Sequence, residues 1–160
     1  MMLKAFVERM GVRRTWTLIL MGHCWIALAV AFDEHVSTGE LGMYLGGVLV
    51  SGVLGYLAIL RLRELEGDVS LGQFNGHVAR HPRIATVFLL CCLGLAGFPI
   101  TPTFVGEDLL FSHMHEDDVV LAAIVSLAFV IDGLALVRMY ARIFLGPDMR
   151  VAAGNAKRSA

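Results

Sequence analysis

Four long runs of apolar positions, separated by short polar stretches, set the pattern of this chain. The first is Thr15 to Phe32, "TWTLILMGHCWIALAVAF", and the second is Leu41 to Leu60, "LGMYLGGVLVSGVLGYLAIL". A third begins after His81-Pro82 and continues, with an interruption, to Phe111; a fourth runs from about Val119 to Leu145. A helix needs about 20 apolar residues to cross a bilayer, and each run approaches or exceeds that length. The pattern therefore predicts an all-α membrane protein of about four transmembrane helices in a single membrane domain, residues 1–160. The spans fall at about 15–32, 41–60, 83–112 and 119–145. Ala29-Val30-Ala31 behind a basic amino-terminal stretch imitates a secretion signal, but the first run is read as a span.

The third run is discontinuous. A helix from Pro82 to about Gly97 rises roughly 24 Å, most of the way across the hydrocarbon. Pro82 suits a helix start. "GFPITPTFVGEDLLF" follows, and in it Pro99 and Pro102 each remove a backbone donor and clash with the preceding turn. The sequence predicts a break over Phe98–Thr103, marked by Gly97, Pro99, Pro102 and Gly106, with Thr103 capping a short second helix through Phe111. Irregular backbone at membrane depth is tolerated only inside protein or against a watery cavity, so a hydrated interior is expected.

Charge fixes an orientation. Arg61, Arg63, Arg80 and Arg83 lie between the second and third runs, and Arg138, Arg142, Arg150, Lys157 and Arg158 end or follow the fourth. Asp33, Glu34, His35 and Glu40, and then His113 to Asp118, carry no Lys or Arg. The positive-inside rule places both termini and the 61–82 loop in the cytoplasm. Composition agrees: 57% of residues are hydrophobic and only 17% charged, against roughly 25% charged in soluble domains. A net charge of −1 argues neither for nor against nucleic acid, and none is expected as a partner. Cys24, Cys91 and Cys92 all sit in apolar runs without metal spacing and read as structural thiols. In the second run Gly47, Ser51 and Gly55 recur every four residues, a spacing that lets another helix approach closely. That face points to a larger assembly in the membrane.

Ionisable residues inside the runs are the candidate chemistry, since a charge is costly there. Glu107 follows the break directly. Asp108, its neighbour, diverges from it by about 100° on a helix, so one faces the bundle interior and the other its rim. Asp108 is either a second functional acid or a boundary marker. Asp132 lies roughly 21 Å of helix from either end of its run, near mid-membrane, and serves either an ion path or a hydrogen bond to a neighbouring helix. The helical rise separates Asp132 from Glu107 by roughly 12 Å in depth, so water is expected to bridge them. His23 either relays protons or packs between helices. His113 and His115, in "SHMHEDD", gather or release protons at the outer surface or are ordinary loop residues; as a metal site they are only a weak hint, and no metal is expected.

"RHPRIATVFLLCCLGLAGFPITPTFVGEDLLF" resembles the late broken helix of the antiporter-like subunits of respiratory complex I and of Mrp-type cation/proton antiporters. The shared features are Gly97-Phe98-Pro99, Phe104-Val105-Gly106 and the ionisable Glu107, and "VRMYARIFLG" is similar to the helix that follows in that family. The resemblance covers about residues 40–146. It implies that Glu107 belongs to a proton-transfer path near its outlet; it does not supply Asp132. Only the last few helices of the family's longer subunits have counterparts here, so a split or shortened subunit is expected. The reading is a membrane subunit of a multi-subunit proton- or cation-translocating complex, with other integral membrane subunits as partners. It lies in a bacterial inner membrane and has no redox centre and no cofactor. Two alternatives stand beside it: a membrane partner in inorganic-carbon uptake, and a non-conducting structural subunit.

Overall fold

A computed structural model describes residues 11–31, 37–112 and 119–147. All regular structure among them is helical: α1 (Val12–Val30), α2 (Thr38–Glu66), a 3₁₀ turn (His77–Ala79), α3 (Pro82–Leu95), α4 (Pro102–Ser112) and α5 (Val119–Phe144). By length and apolar composition, α2 and α5 are long enough to cross a membrane, and α3 is a shorter apolar helix.

Local signals set the boundaries. Ser37 opens α2 with a capping box: its hydroxyl accepts from the Glu40 N–H (3.3 Å), and the Glu40 carboxylate accepts from the Ser37 N–H (3.1 Å). Gly67, at φ +79°, closes it. The helix thus runs past Leu60, where the apolar run ends, and carries its last turns on charged residues.

The interruption after α3 has a different cause from the one the prolines imply. Helix α3 stops at Leu95 because Gly97 adopts φ +65°, and the Phe98 N–H bonds the Leu93 carbonyl at 3.0 Å. That is a Schellman-type terminus; Pro99 merely follows it. Pro102 breaks nothing, since it occupies the first position of α4, where a missing N–H costs nothing. Thr101 rather than Thr103 is the cap, its hydroxyl accepting from the Phe104 N–H at 3.3 Å. The gap is therefore Ala96–Thr101, not Phe98–Thr103, and Thr103 is a fully buried helical residue.

Helix α2 lies at the centre, packed on α3, α4 and α1, while α5 closes against α1 and α3. The small-residue face of α2 makes this possible. A methyl group at Gly47 would overlap Thr103 of α4, and one at Gly55 would overlap the Trp16 ring of α1. Ser51 presses its hydroxyl onto Gly94 of α3. The Gly47–Ser51–Gly55 face thus seats helices of this chain, and gives no reason of its own to invoke a partner.

Near the far end of α2 the core is aromatic. Trp16 donates its indole N–H to the Gly52 carbonyl (3.0 Å), and its ring packs at a tilt against Phe88, which packs likewise against Phe144 (centroids 5.1 and 5.5 Å). The 61–82 connector is tied down by polar contacts. Glu66 meets Arg80 and His81, each at 2.7 Å, and Asn75 donates to the Arg142 carbonyl at 2.8 Å.

Candidate functional site

Asp132 sits midway along α5 and leans on α1. Gly22 leaves the room, since a β-carbon there would come within 3.0 Å of the carboxylate. Next to Gly22, His23 is fully buried. Its Nε2 stands 4.0 Å from Asp132 Oδ2, and its Nδ1 lies 3.0 Å from the Tyr44 hydroxyl on α2. The Nε2 atom has no hydrogen-bond partner. If Nδ1 donates its hydrogen to the Tyr44 hydroxyl, the neutral ring leaves Nε2 as a free acceptor facing Asp132; if Tyr44 donates to Nδ1, the ring carries its proton on Nε2. In the second case the Asp132 contact is a small shift short of a hydrogen bond. Phe129 walls this row, with its ring centre 6.2 Å from both the His23 and the Tyr44 rings.

Glu107 approaches from the other side. It lies on α4 with its carboxylate against Gly97, where any β-carbon would overlap it. Gly97 thus does two things: it ends α3 and makes the seat for this acid. Glu107 Oε1 is buried without a hydrogen-bond partner. The preceding residue, Gly106, packs directly on the Tyr44 backbone, 2.6 Å separating its β-position from Tyr44 Cα. This contact sets Glu107 on the turn of α4 that packs against Tyr44 of α2. No hydrogen bond joins the two acids directly among the described residues. One turn earlier on α4, Thr103 Oγ1 is also buried and unpartnered, so α4 turns two orphan polar atoms to the interior.

The structure therefore sets Asp132, His23 and Tyr44 in a row and seats Glu107 on the turn of α4 that packs against Tyr44. Asp108 stays apart, exposed on the outer side of α4, as the divergence of adjacent helical residues requires. His113 and His115 lie outside the described residues. Tyr44 was missed in the sequence, where nothing distinguishes it from any aromatic in a span. Its one signal is register: three residues before Gly47, it shares the small-residue face that packs inward.

No protein-family model matches the chain. Individual relatives do. It is 34% identical to NADH-ubiquinone oxidoreductase chain 4 of Dictyostelium discoideum over 142 residues, which is 88% of this chain and 26% of that protein. NADH-quinone oxidoreductase subunit M of Rickettsia bellii is 26% identical over 126 residues, 79% of this chain and 25% of the relative. Subunit N of Beutenbergia cavernae is 31% identical over 96 residues, 57% of this chain and 18% of that subunit.

The chain is a homologue of the antiporter-like membrane subunits of complex I.

It spans about a quarter of the length of its subunit M relatives. Its similarity to these subunits and the apolar α2 and α5 make it a membrane protein related to subunits of a multi-subunit complex.

Proposed function

We propose that the chain is a membrane subunit of a proton-translocating complex and supplies one stretch of the proton path, in the order Asp132, His23, Tyr44, Glu107. The carrying observation is the row itself: a fully buried histidine between a partly buried mid-helix acid at 4.0 Å and a buried tyrosine at 3.0 Å, with a second acid seated on the helix interruption nearby. Each member can accept a proton from one neighbour and release one to the next. Buried polar atoms without protein partners ordinarily bind water, and Thr103 Oγ1 and Glu107 Oε1 mark where it completes the row. Side chains thus take much of the bridging role that the sequence alone left to water.

In this reading α1, α2, the α3–α4 pair and α5 are four spans, the third broken at Gly97, with both termini cytoplasmic. The chain's partners in this reading are other integral membrane subunits of the complex. Asp108, His113 and His115 face the outlet, where Glu107 delivers protons to the acidic outer surface.

The test is proton flux into vesicles holding the assembled complex. Asp132→Asn and Tyr44→Phe are close in shape to the native residues and remove only a titratable or donating group. Each is expected to slow flux by about a hundredfold, the usual scale of a positioned acid–base group, with subunit content unchanged on a gel. Native flux from both fully assembled variants would remove the row from the path.

A further inference from the structure

A cavity of about 470 Å³ opens between the amino-terminal end of α1, the last turns of α2 and the connector that follows them. Its size falls within the roughly 300–1,000 Å³ typical of small-molecule sites. Its two ends differ in chemistry. The floor is apolar, made by Leu62, Phe88 and Phe144, all buried in the core. At the rim stand Arg13, Arg14 and Arg63. Arg63 is held by Asp68 at 2.8 Å; Arg13 and Arg14 have no carboxylate partner among the described residues and are exposed. The first turn of α1 also faces the rim, with no side-chain cap and no acidic residue, so its free N–H groups add positive potential.

We infer that this cavity is a binding site for one anionic phospholipid, its phosphate on Arg13, Arg14 and the first turn of α1 and an acyl chain on the apolar floor. The inference rests on the membrane reading of the helices and not on the proton path. Charge complementarity selects an anion, as in other basic pockets at the arginine-rich ends of membrane helices. The floor favours an anion that carries a hydrocarbon chain, because a soluble phosphate would leave that wall uncovered.

The full chain, purified with its accompanying subunits, is reconstituted in phosphatidylcholine vesicles doped with photoreactive phosphatidylglycerol, or with the matching photoreactive phosphatidylcholine. Cross-links are mapped by mass spectrometry. Phosphatidylglycerol is expected to label the Leu62–Leu71 segment and Phe88 well above phosphatidylcholine. Arg13→Gln with Arg14→Gln should cut that labelling by about thirtyfold, since each arginine near an anionic head group accounts for about a fivefold factor. Leu71→Trp, which fills the cavity and keeps every charge, should also remove it. Equal labelling by the two lipids, or labelling indifferent to the arginine pair, would overturn the proposal. So would competition by excess inorganic phosphate, which would reassign the site to a free anion. Labelling that appears only after deletion of residues 2–10 would show that the chain's own first residues fill the cavity, and would overturn it as well. Failure of the chain to enter vesicles at all would instead refute the membrane reading.

Discussion

At the scale of single residues, Gly97 carries more of the site than any ionisable group does. It ends α3 by adopting φ +65°, and its missing side chain is the space that Glu107 occupies. Alanine there meets both constraints at once. The left-handed conformation costs an L-residue roughly 1–2 kcal/mol, and the added methyl displaces the carboxylate. Gly97→Ala should therefore lower the thermal stability of the assembled complex and reduce proton flux together, as read by a melting curve and a vesicle assay. A variant with native melting and native flux would show that neither the turn nor the seat matters. Tyr44 teaches the converse lesson. Its hydroxyl joins His23 at 3.0 Å, yet an aromatic in an apolar run has no sequence mark of such a role. Asp132, His23 and Glu107 were legible because ionisable groups in apolar runs are costly; Tyr44 was not, because its role depends on which helix face meets which.

Among the elements, α2 organises the bundle. Its small residues were legible as a packing face, but not what they pack against, since spacing alone says only that something comes close. The structure supplies Thr103, Gly94 and Trp16 of the same chain. The open glycines Gly42 and Gly46 meet nothing within 4 Å, which gives an internal control. Gly55→Val should cost about 1–3 kcal/mol through overpacking against Trp16, whereas Gly46→Ala should leave stability within about 0.5 kcal/mol; thermal unfolding of the reconstituted complex checks both. Equal effects would contradict the packing assigned to α2. The helix interruption shows the same limit of the sequence. Two prolines announced a break, but their conformational preferences alone did not fix its position. Gly97 ends one helix and Pro102 begins the next, so the gap starts earlier and the second helix is longer at its start than proline chemistry alone implies.

On the scale of the whole molecule, the chain matches about a quarter of each subunit M relative, and its helices expose large apolar surfaces on α5 and on the outer side of α2. The exposed apolar surfaces suit lipid or neighbouring helices, as the proposed membrane reading requires. In the proposed four-span reading the arginines set the orientation. Cysteine labelling from either side should find the 61–82 connector on the cytoplasmic side and residues 33–40 outside; the reverse, or an odd number of crossings, would contradict the four-span reading. The function claimed for the assembly depends most directly on Glu107, the acid seated on the helix interruption. The decisive measurement is proton flux in vesicles containing the complete complex with Glu107→Gln, its subunit content verified by gel. Flux is expected to fall by about a hundredfold or more while assembly is preserved. Native flux from a fully assembled Glu107→Gln complex would contradict the account.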